Sequence, residues 1–143
     1  MNTHKYSIVV PCYNEQETIP SLLKRYEKVI GNRTDIELIL VNDGSKDLTF
    51  EVLNNEKGKY KFLRIVHIEL NAGYGNAVYM GLQEATGDVI GWTHGDLQTD
   101  PEDVIKAFTF FNINENSRYL YVKGRRYGRP LSDVVFTFGM SIF

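Results

Sequence analysis

One cysteine and four prolines in 143 residues remove two classes of protein at once. The lone Cys12 excludes an intramolecular disulfide framework and any cysteine-rich metal cluster, and it fits a reducing compartment, so the chain is expected in the cytoplasm. So little proline rules out a proline-rich linker or a collagen-like repeat. No stretch approaches the ~20 apolar residues that a membrane-spanning helix needs. The longest apolar candidate, Val134 to Phe143, suits a core or an interface, and the amino terminus lacks the layout of a secretory signal. One-sided charge is missing too: Lys and Arg number 16 and Asp and Glu 18, a net charge of -2, so no chain-wide attraction to nucleic acid is expected. Two nucleotide-binding signatures are also absent. Pro11 and Tyr13 stand where a Gly-x-Gly-x-x-Gly turn would hold a dinucleotide, and there is no Walker lysine loop.

What remains is a globular composition, 43% hydrophobic and 24% charged, read as one domain over residues 1–143. Apolar, β-branched runs at Tyr6–Val10, Ile36–Val41, Phe62–Ile68, Val89–Thr93 and Tyr119–Lys123 predict five strands, the first ended by Pro11. Between them lie helical spacings. Ile19, Leu22, Leu23, Tyr26, Val29 and Ile30 share one helical face, with Thr18 as cap, Pro20 in the first turn and Gly31 as stop. A short helix carries Leu48, Val52 and Leu53; another follows Gly73–Gly75 and is expected to end at a left-handed Gly87; a fourth opens at Asp100-Pro101. Strands alternating with helices predict an α/β fold built on a mostly parallel sheet flanked by helices, with ligands in the loops at the carboxyl ends of its strands. The chain stops inside an apolar run, so it is expected to be the N-terminal portion of a longer enzyme.

Four polar loops would then converge: Pro11-Cys12-Tyr13-Asn14-Glu15, Asn42-Asp43-Gly44-Ser45, Asn71-Ala72-Gly73-Tyr74-Gly75 and His94-Gly95-Asp96-Leu97-Gln98. An acidic residue ending a second strand, here Asp43, suits a ribose hydroxyl or a base edge. Asp96 with Gln98 and His94 offers ligands for a divalent cation that bridges phosphate oxygens and stabilises a diphosphate leaving group. Taken singly, each feature has a plain reading. Asp43-Gly44-Ser45 is a turn and cap, Tyr13 a surface tyrosine, Glu15 a first-turn acid, Cys12 a small buried hydrophobe, and Lys46 and Asp47 surface residues.

Together and in this order, Val9-Val10-Pro11-Cys12-Tyr13-Asn14-Glu15, Val41-Asn42-Asp43-Gly44-Ser45-Lys46-Asp47, Asn71-Ala72-Gly73-Tyr74-Gly75-Asn76-Ala77 and Gly95-Asp96-Leu97-Gln98 resemble the inverting nucleotide-sugar glycosyltransferases of GT-A fold, in their dolichyl-phosphate mannose synthase-like branch. The resemblance implies that Pro11, Tyr13 and Glu15 wall a nucleotide pocket, with Tyr13 against the base, and that Val41 and Asp43 contact base and ribose. It implies that Asp96 binds the metal, that Gln98 assists it, and that Gly95 lets the backbone approach the sugar diphosphate. His94 departs from the pattern, standing where the family has the first aspartate of Asp-x-Asp. An imidazole ligates Mn2+ more readily than Mg2+, so the cation is one of these two and its identity is open.

A basic run, Arg118, Lys123, Arg125, Arg126 and Arg129, holds no acidic residue. Arginines clamp phosphates in fork geometry, and Arg125 and then Arg129 are the leading candidates to face the diphosphate. Asp96, Gln98 and Arg125 are the residues expected to carry catalysis; Gly73 joins the donor-binding set through the start of its helix. A lipid-phosphate acceptor is already anionic and needs no base, which favours a polyprenyl phosphate over a glycan hydroxyl. The expectation is a metal-dependent hexosyltransferase of cell-envelope biogenesis, peripheral to the inner face of the membrane. A sugar-phosphate nucleotidyltransferase is disfavoured by the missing glycine-rich first loop, and the alternative of another class is a nucleotide-binding or interaction module without turnover.

Overall fold

The computed structural model describes residues 5–113 and 119–124. Strands and helices alternate as β1 (Tyr6–Cys12), α1 (Ile19–Ile30), β2 (Ile36–Asp43), α2 (Thr49–Glu56), β3 (Leu63–Ile68), α3 (Tyr74–Glu84), β4 (Val89–Trp92) and α4 (Pro101–Ile113). The strands form one parallel sheet in the order β3-β2-β1-β4. The chain thus steps outward from β1 to β3 and then returns to lay β4 on the other side of β1. That reversal opens a crevice at the carboxyl ends of β1 and β4.

Both central strands are buried along their whole length because helices cover both faces. On one face Ile8 and Val10 of β1 and Leu38 and Leu40 of β2 meet Leu22, Leu23 and Tyr26 of α1, Leu53 of α2 and Phe108 of α4. On the other, Val9, Ile39 and Val41 meet Ala77 of α3. That second layer is thin. A Cβ on Gly81 of α3 would lie 2.3 Å from Val9 Cγ1, so the helix backbone rests almost directly on the sheet. Among the described residues no helix is long and apolar enough to cross a membrane.

Several expectations shift in detail. The first strand runs through Pro11 rather than ending at it. The Val9 carbonyl accepts from Thr93 N–H at 3.0 Å, so Val9, and two residues on Pro11, turn their polar backbone toward β4; β4 ends at Trp92 opposite Val9, and the N–H that proline lacks has no partner to lose. Thr18 does not cap α1 with its side chain, because its hydroxyl donates back to Glu15. Helix α3 ends at Ala85 in extended backbone, and Gly87 is not left-handed. Gly87 serves close packing instead: a Cβ there would stand 2.7 Å from Ser7 N. The fifth strand expected at Tyr119–Lys123 is not found, and Tyr119 and Tyr121 are exposed. Trp92 and Phe110 are also half exposed, leaving Phe108 as the core phenylalanine of α4.

Candidate donor-binding cleft

The four loops meet in an open cleft of about 380 Å3, a volume within the range of small-molecule sites. Pro11, Cys12, Tyr13 and Glu15 line it from the end of β1, Asp43 from β2, Asn71 and Gly73 from the loop after β3, and His94, Gly95 and Asp96 from the loop after β4. Tyr74 and Ala77 of α3 complete the lining. Tyr13 is 41% exposed, an aromatic face open to a ligand.

Asp43 organises the centre. Its Oδ1 accepts from Ala72 N at 3.0 Å and its Oδ2 from Gly73 N at 2.9 Å, while its carbonyl accepts from Asn71 Nδ2 at 3.0 Å. Gly73 is the residue before the first turn of α3, so a strand-borne carboxylate occupies the positive end of this helix. Gly44 makes the close approach possible. At φ 60° it adopts a left-handed turn, and a Cβ there would lie 2.4 Å from Asn71 N.

The loops after β1 and β2 are bonded to each other. Asn14 N donates to Ser45 Oγ at 3.0 Å, Lys46 N to Asn14 Oδ1 at 2.8 Å, Glu15 N to Thr49 Oγ1 at 2.7 Å, and Gln16 N to Asp47 Oδ2 at 3.2 Å. Asp47 is therefore no bystander on the surface. Burial pushes its carboxyl up, but hydrogen bonds from the Thr49 hydroxyl, the Thr49 amide and the Gln16 amide outweigh that and hold it below the usual carboxylate range. Cys12 behaves in the opposite way. Buried, and beside the charge of Glu15, its thiol is pushed up to about 12, which makes it an inert lining group.

The loop after β4 presents Asp96 at the cleft with one oxygen committed: Oδ1 accepts from Gln98 N at 3.0 Å. Leu97 sits at φ 62°, its carbonyl accepts from Arg25 Nη1 at 3.2 Å, and Thr93 and Thr99 pair their hydroxyls at 3.0 Å across the loop base. His94 stacks on Tyr74 with ring centroids 5.2 Å apart. Among the described residues no group of three His, Cys, Asp or Glu side chains is placed to hold a metal ion. The donor set suits a cation that takes one carboxylate oxygen, Asp96 Oδ2, and completes its shell with phosphate oxygens and water, the habit of Mg2+ and its analogues.

Of the residues singled out in the sequence, Pro11, Tyr13, Glu15, Asp43, Gly73, His94, Gly95 and Asp96 share this one cleft. Val41 does not line it. Its side chain is fully buried beneath α3, because residues two apart on a strand share a face and α3 covers that face up to Asp43. Gln98 is exposed and outside the lining, contributing its amide to Asp96 rather than its side chain to an ion. Gly95 lines the cleft, yet its missing Cβ would point at Pro11 O, 3.2 Å away, so packing on β1 already demands glycine. Arg125 and Arg129 lie outside the described residues, as does Arg118, and Lys123 is exposed. Asn71 and Tyr74 were not singled out as site residues. The signal was their place in the third loop, where the glycines on either side drew the attention.

Residues 7–136 match the family described as Glycosyl transferase family 2. The undecaprenyl-phosphate 4-deoxy-4-formamido-L-arabinose transferase of Enterobacter sp. (strain 638) is 39% identical over 109 residues, covering 71% of this chain and 32% of that protein. The protein of the same description from Pseudomonas fluorescens (strain Pf0-1) is 38% identical over 104 residues, covering 71% and 30%. The chain spans about a third of the length of these curated relatives. Among solved structures, TarS of S. aureus in complex with UDP-GlcNAc superposes with a TM-score of 0.64 at 28% identity, over 76% of this chain and 31% of that one. The mannosyltransferase PcManGT from Pyrobaculum calidifontis, in complex with GDP-Man and Mn2+, superposes at 0.67 and 22% identity over 78% and 33%, a likeness of fold. Four parallel strands in this order, the convergent loops and a family match over most of the sequence agree: the chain belongs to glycosyl transferase family 2 and has the GT-A fold.

Proposed function

We propose that this chain is the donor-binding part of a glycosyltransferase that moves a sugar from a nucleoside diphosphate to a polyprenyl phosphate, with inversion, at the cytoplasmic face of the membrane. The observation that carries the reading is the meeting of Tyr13, Asp43 and Asp96, from three separate loops, in one cleft. The UDP-GlcNAc complex of TarS supports a nucleotide-sugar donor, and the undecaprenyl-phosphate relatives support the lipid acceptor.

In this reading Tyr13 lies against the base and Glu15 closes the wall beside it. Asp43 faces the nucleoside while it holds the start of α3. Because Asp43 already fills the anion site at that helix end, the diphosphate needs positive charge from elsewhere. Asp96 Oδ2 is the oxygen free to hold Mn2+ or Mg2+, with His94 beside it, and Arg125 and Arg129 would add fork-shaped donors. When bound, the cation supplies Lewis-acid stabilisation of the departing diphosphate. The carboxylates of the lining are all engaged: Glu15 by the Thr18 hydroxyl, Asp43 by α3, Asp96 by Gln98 N. None is left to act as a base, which suits a phosphate acceptor that is already an anion.

Calorimetric titration with UDP and GDP, with and without Mn2+, tests the proposal. Binding is expected to tighten with Mn2+ and to weaken at least about tenfold in Asp96→Ala, the loss typical of a disturbed metal site. Absence of binding to either nucleotide under both conditions overturns it.

A further inference from the structure

Thr49 and Asp47 lie behind the cleft and do not line it, yet the wall that carries Tyr13 and Glu15 hangs on them. Thr49 is fully buried. Its hydroxyl donates to Asp47 Oδ1 at 2.5 Å, which commits the proton and leaves a lone pair to accept from Glu15 N at 2.7 Å. Asp47 Oδ1 also accepts from Thr49 N at 3.0 Å, fixing the carboxylate, and its Oδ2 takes Gln16 N at 3.2 Å. Gln16 answers in the other direction: its Oε1 accepts from Leu48 N at 2.8 Å. Two consecutive amides of the first loop therefore end on one Asp–Thr pair of the second.

We propose that Thr49 and Asp47 are positioning residues for donor binding, acting as a relay that presets the wall bearing Tyr13 and Glu15 before a nucleotide arrives. The physical need is plain. Asn14 holds φ 55°, a left-handed conformation that a non-glycine residue keeps only when its surroundings impose it. A loop left free costs entropy to order, and without the relay the nucleotide has to offset that cost on binding. The relay also explains why a threonine is needed. A valine of the same shape has neither the O–H for Asp47 nor the oxygen for Glu15 N, and that amide is then left without a partner.

This inference rests on the donor-binding reading and is tested beside it by calorimetric titration of the 143-residue chain with UDP and GDP in the presence of Mn2+. Thr49→Val is expected to raise the Kd about tenfold, as an unpaired amide and a loosened loop imply. Thr49→Ser, which keeps the hydroxyl, is expected to stay within about twofold of the wild type. Asp47 is only half buried, so Asp47→Ala carries the test if Thr49→Val does not fold. The control is Glu37→Gln at the other end of the sheet, expected to lower the melting midpoint and leave the Kd unchanged. Wild-type affinity in folded Thr49→Val or Asp47→Ala overturns the relay, as does an equal loss of affinity in Glu37→Gln, which would make the effect one of general stability. Failure of the wild type itself to bind removes the donor-binding reading first, and is distinguished by needing no variant.

Discussion

Strand β2 carries a buried carboxylate at each end of one face, and the molecule compensates the two by different means. Glu37, Ile39, Val41 and Asp43 alternate onto the face covered by α3, apolar in the middle and acidic at both ends. At the amino end Glu37 is 1% exposed. Its Oε1 accepts from Ser7 Oγ at 2.6 Å, Thr86 N at 2.6 Å and Thr86 Oγ1 at 2.8 Å, and its Oε2 from the Arg64 guanidinium at 2.9 Å. At the carboxyl end Asp43 is 2% exposed and is met by backbone amides alone, with no ion pair among the described residues. One end has its own cation and is closed. The other keeps an unneutralised charge at the edge of a cleft, held by dipoles, and that is where a ligand finds a use for it. Stability and function thus occupy opposite ends of one strand.

Removing Glu37 is the harshest way to test that division. Glu37→Ala strands the Ser7 and Thr86 donors in a buried site and takes the partner from Arg64. The expected loss is about 3–4 kcal/mol, toward the lower end of the range for broken buried pairs because Arg64 is 38% exposed. Urea unfolding measures it. Nucleotide affinity of the folded fraction is expected not to change; an affinity loss would show that the two ends are coupled.

Acid probes the same end without a mutation. Burial raises the Glu37 carboxyl, but hydrogen bonds from Ser7, Arg64 and Thr86 outweigh burial and hold it at about 2, against an ordinary value of 4.5. A depressed carboxyl stabilises the fold above its unfolded value, and that contribution disappears as pH falls through the folded one. The loss is therefore expected between about pH 5 and pH 2, on the order of 3 kcal/mol. Glu37→Gln is expected to flatten this part of the pH dependence of the urea midpoint, and an unaltered acid limb would assign it to other groups.

The sequence makes the two ends legible to different degrees. Alternation and helical spacing identify four strands and four helices because burial on two faces and on one face leave different periodicities, and the four loops follow once the sheet is parallel. Partnerships across loops leave no such trace. Asp47 looks like a solvated acid in the order Ser45-Lys46-Asp47, and only the adjacency of β1 and β2 brings Gln16 N to it. Val41 and Asp43 look equally suited to a nucleotide, yet the reach of α3 buries one and leaves the other in the cleft. Glu37 is an acid inside an apolar run, a signal that Ser7 and Arg64 explain only after the strands are paired. Tyr119–Lys123 has the alternation of a strand, but alternation does not supply a neighbour to pair with.

Asp43→Asn is the smallest perturbation and the sharpest one, since it removes the charge and keeps the shape. The amide oxygen can still accept from either Ala72 N or Gly73 N, but its NH2 then faces the other backbone amide, donor against donor. One buried N–H is left unsatisfied, which costs about 1–2 kcal/mol in a urea titration. The helix also loses an anion at its positive end, a further few tenths of a kcal/mol. Nucleotide affinity is expected to fall about tenfold, since both the third loop and the charge offered to the nucleoside are disturbed. The contrast with Glu37 is then complete in two measurements. Glu37→Ala moves stability and leaves binding alone, whereas Asp43→Asn moves stability less and binding more. Should Asp43→Asn keep full nucleotide affinity while losing stability, Asp43 would be a structural clamp like Glu37, and the nucleoside would have to be recognised by the Tyr13 wall alone.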